Sequence, residues 1–503
     1  MKTGDPVGKG QDKGAHAPLN CQRGVRAAIV ARKPGNAGGA KGGREANPLD
    51  ERYGEETPSV VPATDKQGGE DLWQRYKAER GVWSEGMLEA LERGVKGGKW
   101  FSLIDKVYSP KTLALGWAKV KSNAGACGVD NITVARFDKQ AESRLLAVNE
   151  QLKQGNYQPR PIRRTWIPKP GSKEKRPLGI PAVVDRVVQS ATRMVIEPIF
   201  ERIFAPQSYG FRPGRSCKDA LRRVDELLKA GYTHVVDIDI KGYFDSIDHE
   251  RLLEQVREHI ADGRVLKLLE GFLKAKVMEA DQEWEPEQGT PQGGVISPLL
   301  ANIYLNRLDW LMVQEGFEMV RYADDMVVLC REKASAHKAL KLIAEWMERN
   351  ALTLHPEKTR IVSLEMAGKH FDFLGYRFWR TRRGNITRLI RPKSKQNLKQ
   401  KLKPLTKRAN GHSLEALVKK LNPILRGWYG YYKHARADVL KEMDGWIRGR
   451  LRAILRKRKG LRGRGRGCDH WQWPKQYFDT LGLFCLEAAR RKEYSSLRNG
   501  VKC

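Results

Sequence analysis

Two adjacent aspartates between apolar residues carry the clearest chemical signal in this sequence. Asp324 and Asp325 stand within residues 320–330 (VRYADDMVVLC), with apolar residues on both sides. This pattern predicts a β-hairpin whose turn presents both carboxylates without burying them. Because two neighbouring carboxylates repel each other, a cation must accompany them, and a divalent metal with oxygen ligands suits the pair.

A second acidic segment supports the idea of a metal site. In residues 233–244 (THVVDIDIKGYF), Asp237 and Asp239 alternate with apolar residues. Alternation with a period of two predicts a strand with one face on the core and an acidic face that can approach the hairpin. One of these aspartates plus the hairpin pair supplies three carboxylates, a set that can hold two magnesium ions about 3.5–4 Å apart for phosphoryl transfer. Each motif alone also fits an ordinary surface turn, so the hypothesis depends on their joint occurrence.

The composition predicts an anionic partner. The chain of 503 residues carries 93 Lys and Arg against 59 Asp and Glu, a formal net charge of +34. Nucleic acid is the usual partner for such a charge, because neutralised phosphates release condensed counterions. Seven cysteines without a Cys-x-x-Cys pair argue against zinc fingers and against a disulfide framework. Since no apolar run has the length of a membrane span and no signal core is visible, we expect a soluble cytoplasmic protein without membrane contact.

Composition and periodicity also predict how the chain is organised. The Gly-rich and Pro-rich start predicts a flexible tail, and the middle of the chain mixes helices with short β-rich runs, which is typical of an α+β fold. Within these regions, residues 248–278 are predicted to be helical, and Asn422-Pro423 is predicted to begin a new helix. The predicted regions are a tail (1–70), a helical region (71–155), a mixed α+β region (156–385), a small helical domain (386–450) and a basic nucleic-acid-binding region (451–503).

Many blocks, present together and in order, resemble the group II intron reverse transcriptases, the intron-encoded maturases of bacteria and organelles. The resemblance covers roughly residues 100–482. It is carried by 125–133 (GACGVDNIT), 167–170 (IPKP), 176–181 (RPLGIP), 185–189 (DRVVQ), 208–216 (SYGFRPGRS), 239–245 (DIKGYFD), 289–294 (GTPQGG), 297–300 (SPLL), 322–325 (YADD), 355–359 (HPEKT), 373–376 (FLGY) and 421–429 (LNPILRGWY).

The resemblance implies a right-hand polymerase with fingers and palm (156–385) built from an antiparallel sheet plus helices. It implies that 71–155 is a helical extension of the fingers and that 386–450 is a helical thumb or maturase domain. It implies that Asp239, Asp324 and Asp325 are the catalytic acids. These three, with the carbonyl of Ile240, would hold two Mg2+ ions per active site. Asp237 remains the competing acid on the same face of its strand.

The resemblance also implies a nucleotide site. As the catalytic acid of this strand, Asp239 is preferred over Asp237, because Phe244 then falls at the position of the family's ribose gate. The ring of Phe244 would collide there with a 2′-hydroxyl. Arg176 and Lys169 would grip the triphosphate, Gln292 would pack on the nucleotide, and Lys358 would protonate or steady the leaving pyrophosphate. The alternative for each cation is an ordinary surface charge, and for the phenylalanine a place in the core.

A basic segment near the C-terminus is predicted to contact nucleic acid. Residues 448–466 contain ten Lys or Arg and no acid. The alternative is that these side chains are only solvated surface charges. The large positive charge of the whole chain favours contact with nucleic acid over that alternative. The predicted contacts are Arg448, Arg450, Arg452, Arg456, Lys457, Arg458, Lys459, Arg462, Arg464 and Arg466.

By resemblance, the protein is an RNA-directed DNA polymerase that adds dNTPs to a DNA or RNA primer on an RNA template. It would also bind its group II intron RNA to assist splicing, and target DNA during retrohoming. The family's DNA endonuclease is not implied, because Cys468, His470 and Cys485 do not have the spacing of its metal ligands. Two alternatives stay open: a splicing cofactor without polymerase activity, and a reverse transcriptase adopted for a host function. The oligomeric state stays open as well.

Overall fold

The computed structural model describes residues 82–95, 97–168, 174–463 and 467–499. The tail predicted over 1–70 lies outside these residues, as do Lys169, Arg464 and Arg466. In the ranges that are described, no helix is both long enough and apolar enough to cross a membrane.

Helices dominate both ends of the described chain, and the strands lie between residues 162 and 390. The helices are α1 (Glu85–Arg93), α2 (Ile104–Tyr108), α3 (Pro110–Asn123), α4 (Val134–Asp138), α5 (Ala141–Gln154), α6 (Val183–Ile203), α7 (Cys217–Lys229), α8 (His249–Arg257), α9 (Gly263–Leu273), α10 (Ser297–Gln314), α11 (Lys333–Arg349), α12 (Pro392–Leu402), α13 (Leu414–Tyr432), α14 (Ala437–Arg458), α15 (Gly467–Gln472), α16 (Lys475–Thr480) and α17 (Leu486–Asn499), with a 3-10 turn at Tyr243–Asp245. The strands are β1 (Ile162–Pro168), β2 (Lys175–Ile180), β3 (His234–Asp239), β4 (Val277–Glu279), β5 (Gln282–Trp284), β6 (Glu318–Tyr322), β7 (Asp325–Cys330), β8 (Arg360–Ser363), β9 (His370–Phe373), β10 (Tyr376–Arg380) and β11 (Ile386–Ile390).

Within the described residues, the strands assemble into three sheets. The first has the order β2-β1-β4-β5 and is antiparallel except where β1 pairs with β4. The second has the order β6-β7-β3-β8, and the third β11-β10-β9; both are antiparallel throughout. The combination of these sheets with many helices confirms the predicted α+β class.

The β6-β7-β3-β8 sheet is covered on both faces, so its central strands are largely apolar. Val236 of β3 and Val328 of β7 point into a core that they share with α10 and α11. Val235 and Val327, on the opposite face, pack towards α7 and the β9–β10 hairpin. Since successive side chains of a strand alternate between faces, the polar residues that remain are left mainly at the strand ends.

The C-terminal helices pack into a second core, which they share with one face of the β6-β7-β3-β8 sheet, in agreement with the predicted helical C-terminal domain. Leu421 of α13 and Ile447 of α14 are buried together. The carboxylate of Asp444 accepts hydrogen bonds from the amides of Leu486 and Glu487, at 3.0 and 2.9 Å, and so caps the start of α17. β11 pairs with β10, so the predicted division between residues 385 and 386 runs through a three-stranded sheet.

The segment predicted as one helix over 248–278 is broken by Asp262 into α8, α9 and the short strand β4. The Asp262 carboxylate accepts from the amides of Arg264 and Val265, at 3.0 and 3.2 Å, as an N-cap does. The same carboxylate accepts from the amides of Leu103 and Ile104, at 2.6 and 2.8 Å. Four amides on one carboxylate therefore start α9 and tie it to the beginning of α2.

α13 continues through Pro423, so the prediction that a new helix begins at Asn422-Pro423 is wrong. Proline lacks the amide that a helix interior needs, which normally disfavours this position. Here the Asn422 side chain donates to the carbonyl of Gly482 and accepts from the amide of Phe484, both at 2.8 Å. Tertiary contacts of the residue that precedes the proline thus outweigh the proline's local preference.

Candidate active site

The candidate site begins at the hairpin of β6 and β7. Tyr322 pairs with Asp325, so the two turn residues are Ala323 and Asp324. Ala323 has a φ of 60°, the left-handed conformation that tight two-residue hairpin turns require but that alanine rarely adopts. Asp324 is exposed in the turn, whereas Asp325 is the first residue of β7 and is half-buried. This corrects the expectation that the turn holds both carboxylates and leaves them unburied.

The acidic strand β3 meets the hairpin at its last residue. Asp239 lies directly opposite Asp325 in the antiparallel pair, whereas Asp237 lies opposite Val327. Directly opposed residues place their side chains on the same face, with Cβ atoms about 4.5–5.5 Å apart. Asp239 and Asp325 therefore face each other, and Asp324 adjoins them in the turn. The structure brings the three acids predicted from the sequence to one end of one sheet.

The carboxylates at this end of the sheet repel one another. Burial, followed by the charges of Asp324, Asp237 and Asp239, raises the pKa of Asp325 to about 7. Although Asp324 is exposed, partial desolvation by the protein around the turn and the charge of Asp239 raise its pKa as well, and the positive charge of Arg176 opposes the shift. A carboxyl group whose pKa is this high carries its negative charge at a cost near neutral pH, and a bound cation would remove that cost.

The two aspartates of β3 have different cationic partners. The Nζ atom of Lys358 lies 2.8 Å from Oδ2 of Asp239, and both side chains are about half exposed. The Nε atom of Arg360 lies 3.4 Å from Oδ2 of Asp237, and burial raises the pKa of Asp237 to about 6 in spite of that arginine. Asp239 thus has the more open position and a flexible lysine partner that a metal ion can displace.

The donors for a divalent cation are present but not gathered around one point. Among the residues that the structure describes, no group of three or more His, Cys, Asp or Glu side chains is arranged to hold a metal ion. The ammonium of Lys358 stands where a cation would neutralise Asp239. The donor set nevertheless fits magnesium, because carboxylate oxygens are the ligands that hard cations prefer. Burial and the neighbouring carboxylates raise the pKa of Asp325, and a bound cation would lower it again. The side chain of Ile240 is buried, and the role of its carbonyl stays a prediction.

Two of the predicted nucleotide-binding residues meet at the 3-10 turn that follows β3. Phe244 is half-buried, with its ring edge-on to Tyr243 at a centroid distance of 5.6 Å, so it is not enclosed in the core. The side-chain amide of Gln292 donates to Oδ2 of Asp245 at 3.1 Å. Asp245 was not predicted as a site residue from the sequence, although it lies with Asp239 in the block 239–245. Its hydrogen bond orients Gln292.

The cations predicted to grip the triphosphate lie on the first sheet. Arg176 of β2 is exposed, and its charge opposes the rise in pKa of both Asp324 and Asp245, so it lies close enough to act on the acidic end of the palm. Lys169 lies outside the described residues. Both assignments stay predictions.

Buried residues that could not be identified from the sequence support the β6–β7 hairpin. Arg321 is fully buried and donates to the carbonyl of Ala323 at 3.0 Å, to Oδ1 of Asn302 at 3.0 Å and to Oδ1 of Asp309 at 2.7 Å. Asn302 in turn donates to the carbonyl of Gly210 at 2.7 Å. A Cβ atom on Gly210 would lie 2.2 Å from the amide nitrogen of Ala323. A single sequence carries no signal for the ion pair, because a strand arginine and a helix aspartate look like ordinary surface charges.

Two of the arginines predicted to contact nucleic acid are used inside the thumb instead. Arg452 is only 5% exposed, and its Nε donates to the carbonyl of Trp473 at 2.9 Å. The guanidinium of Arg456 donates to both oxygens of Asp469, at 3.1 and 2.9 Å. The prediction is wrong for Arg452, because protein encloses its guanidinium, and Arg456 is largely committed to the fold.

The other basic residues of this segment differ in exposure. Arg448 and Arg450 are half-buried, and Arg450 donates to the carbonyl of Thr406 at 2.6 Å. Arg464 and Arg466 lie outside the described residues. Four cations are exposed at the end of α14 and just beyond it, and we call them the basic helix end: Lys457, Arg458, Lys459 and Arg462.

Two family models match the chain. The model described as reverse transcriptase (RNA-dependent DNA polymerase) matches residues 167–378, which include all the candidate acids. The model described as group II intron, maturase-specific domain matches residues 395–470, which include α13 and α14. Reverse transcriptases use divalent metal ions in general, in keeping with the oxygen donors found here.

Curated proteins with similar sequences include two bacterial relatives. The group II intron-encoded protein LtrA of Lactococcus lactis subsp. cremoris is 35% identical over 273 residues, 53% of this chain and 45% of that protein. Protein YkfC of Escherichia coli (strain K12) is 34% identical over 321 residues, 56% of this chain and 83% of that protein. This chain thus spans less than half of the length of LtrA. Among solved structures, telomerase from Candida albicans with a fragment of telomeric RNA matches 65% of this chain and 64% of its own, at 14% identity and a TM-score of 0.37, too low to support an argument.

Proposed function

We propose that this chain, which belongs to the group II intron-encoded reverse transcriptases and maturases, is an RNA-directed DNA polymerase that also binds its own intron RNA. It would add dNTPs to the 3′-hydroxyl of a DNA or RNA primer on an RNA template. The observation that carries the proposal is the pairing of Asp239 with Asp325 across two strands, with Asp324 beside them in the turn.

The three acids are proposed to hold two Mg2+ ions, with the carbonyl of Ile240 as a further oxygen. Bound magnesium would lower the pKa of the primer hydroxyl and neutralise the triphosphate, which is the chemistry that phosphoryl transfer needs. The protein's own part is to hold the carboxylates together against their repulsion, which the rigid β3–β7 pairing does. Lys358, which lies beside Asp239, is placed to exchange its carboxylate partner for a phosphate when the metal binds.

The remaining residues of the site would select and place the nucleotide. Phe244 is half-buried in the 3-10 turn that follows β3, and its ring would exclude a 2′-hydroxyl. Gln292 is held by a hydrogen bond to Asp245 and would pack on the nucleotide. Arg176, exposed on β2, would contact the triphosphate together with Lys169. Positioning and charge, rather than a protein nucleophile, would account for the catalysis.

The partners proposed for the helical thumb are the intron RNA and, during retrohoming, target DNA. The region that matches the maturase-specific model includes the basic helix end. A net charge of +34 favours binding to phosphates. Because the grooves of A-form RNA expose little base sequence, we expect the thumb to recognise RNA mainly by shape. We propose that the protein works in the cytoplasm, within an intracellular ribonucleoprotein.

The proposal is tested by exchanging one carboxylate at a time. Asp239→Asn should abolish cDNA synthesis on a primed RNA template with Mg2+, because the residue loses the charge that faces Asp325. Asp237→Asn is the matched control, since it is the same change on the same strand face, but at a residue paired with Arg360. We expect it to keep most of the activity. Equal loss in both variants would contradict the assignment of Asp239.

A second variant separates the polymerase from a splicing cofactor that does not polymerise. Asp324→Ala should abolish cDNA synthesis and leave intron RNA binding and splicing nearly intact, because Asp324 is exposed in a turn. If the wild-type protein makes no cDNA with magnesium present, the polymerase assignment fails and the splicing role alone remains.

A further inference from the structure

The loop that connects β5 to α10 (285–296) is bonded to the turn that carries Phe244. The amide of Thr290 donates to the carbonyl of Phe244 at 2.7 Å. Two residues further on, the side chain of Gln292 donates to Oδ2 of Asp245 at 3.1 Å. The proposed ribose gate and the residue proposed to pack on the nucleotide therefore lie on two different segments, which hydrogen bonds join at two neighbouring points.

Two buried hydroxyl groups hold this loop to the start of α10. Thr290 and Ser297 are 4% and 1% exposed, and Oγ1 of Thr290 donates to Oγ of Ser297 at 2.8 Å. Ser297, the first residue of α10, donates in turn to the carbonyl of Pro291 at 2.9 Å. Since each hydroxyl has one proton to donate, the two bonds form a single directed chain. Thr290 is thus bonded to α10 through its side chain and to Phe244 through its amide.

Other bonds keep the loop in place when this chain is broken. The amide of Gly289 donates to the carbonyl of Ile247 at 2.7 Å, and Nε2 of His249 lies 2.6 Å from the carbonyl oxygen of Gly289. At the other end, the amide of Val295 donates to Oε1 of Gln189, a buried residue of α6, at 2.8 Å. Loss of the hydroxyl chain should therefore move the stretch between these two ends and leave the loop folded.

We propose that the hydroxyl pair of Thr290 and Ser297 positions the loop against Phe244 and so sets how well the polymerase discriminates deoxynucleotides from ribonucleotides. The inference rests on the proposed function, in which the ring of Phe244 excludes a 2′-hydroxyl. A gate of this kind works by contact, so its selectivity depends on the space left between the ring and the nucleotide on which Gln292 packs. When the loop can move away from the ring, a 2′-hydroxyl gains room, whereas a deoxyribose, which needs no such room, gains little. Because both hydroxyls are buried, they act through Phe244 and Gln292 rather than on the nucleotide.

The test uses Thr290→Val in the full-length protein, which removes the hydroxyl and keeps the amide that donates to Phe244. Thr290→Ser keeps the hydroxyl and is the conservative variant. The matched control is Thr192→Val, because Thr192 is also buried and its hydroxyl donates to the carbonyl of Val188 within α6, at 2.9 Å. Single-nucleotide incorporation opposite a template cytosine gives kcat/KM for dGTP and for GTP, and the ratio of the two values measures the discrimination.

We expect Thr290→Val to lower the ratio of dGTP to GTP by about three- to tenfold, the effect of one net hydrogen bond, mainly through a higher kcat/KM for GTP. Thr290→Ser and Thr192→Val should keep the wild-type ratio, and thermal unfolding should show all three variants folded. An unchanged ratio for folded Thr290→Val, or an equal fall in either of the other variants, overturns the inference and leaves the proposed function standing. A wild type that makes cDNA but accepts GTP as readily as dGTP overturns the gate and the inference together. A wild type that makes no cDNA overturns the proposed function instead.

A second comparison shows whether the hydroxyl pair acts through the gate. Phe244→Ala removes the ring, so it should lower the ratio by more than Thr290→Val does. Adding Thr290→Val to Phe244→Ala should then change the ratio no further, because the two residues act in one contact. An equal fall with and without the ring overturns the inference. If Thr290→Val does not fold, Ser297→Ala takes its place in both experiments with the same expected outcomes, because it removes the acceptor of the same chain.

Discussion

The ion pair beneath the catalytic turn makes a quantitative prediction. Arg321 and Asp309 are both fully buried, and the guanidinium holds the carbonyl of Ala323 at 3.0 Å. Asp309→Ala leaves the guanidinium charged in the core, with only the neutral oxygens of Asn302 and Ala323 as acceptors. We therefore expect the variant to be strongly destabilised and its turn to be misplaced.

The expected loss follows from burial. Removing one partner of a buried ion pair costs about 3–5 kcal/mol, because the other charge stays desolvated. A typical domain is stable by about 5–15 kcal/mol, so this is a large fraction of the whole. The comparison is Glu315→Ala, because Glu315 at the end of the same helix pairs with Lys338 and the two side chains are 38% and 67% exposed. Exposed pairs contribute about 0–1 kcal/mol.

Urea unfolding followed by tryptophan fluorescence measures both variants, and single-nucleotide incorporation reports on the turn. The double variant Arg321→Met/Asp309→Leu removes the charge as well as its partner, so it should regain much of the lost stability. It should not regain activity, since methionine at position 321 cannot donate the hydrogen bond that Arg321 makes to the carbonyl of Ala323. If Asp309→Ala and Glu315→Ala lower the free energy of unfolding by amounts that agree within about 1 kcal/mol, the reasoning is refuted.

Two further predictions concern the turn and the RNA-binding surface. Gly210→Ala places a Cβ 2.2 Å from the amide of Ala323, so cDNA synthesis should fall by about 100-fold while intron RNA binding is retained; an unchanged rate contradicts the close contact. Glutamine in place of all four cations of the basic helix end should weaken RNA binding and make the plot of log affinity against log salt shallower by about 0.7 for each lost contact with a single strand. Arg452→Gln should instead lower the melting temperature and leave that slope unchanged, and a shallower slope for it would show contact with phosphate.

Local sequence was enough for the elements whose signal lies in consecutive residues. The β6–β7 hairpin and the strand with Asp237 and Asp239 were recognisable from alternation and turn residues alone. Local sequence failed at Pro423, where the side chain of Asn422 and its distant partners keep the helix continuous. It failed also at Asp262, whose carboxylate collects amides from two parts of the chain.

By itself, the sequence determined the chemistry available to this protein: paired aspartates at a turn, an acidic strand, a large positive charge and the ordered blocks of a polymerase family. Only the tertiary structure decided that Asp239, rather than Asp237, faces Asp325, because strand register depends on contacts between residues far apart in the chain. It also decided which charges are buried, as with Arg321 and Arg452. The physical reason is that a residue's type sets what it can do, whereas desolvation and partners, which exist only in the folded chain, set what it does.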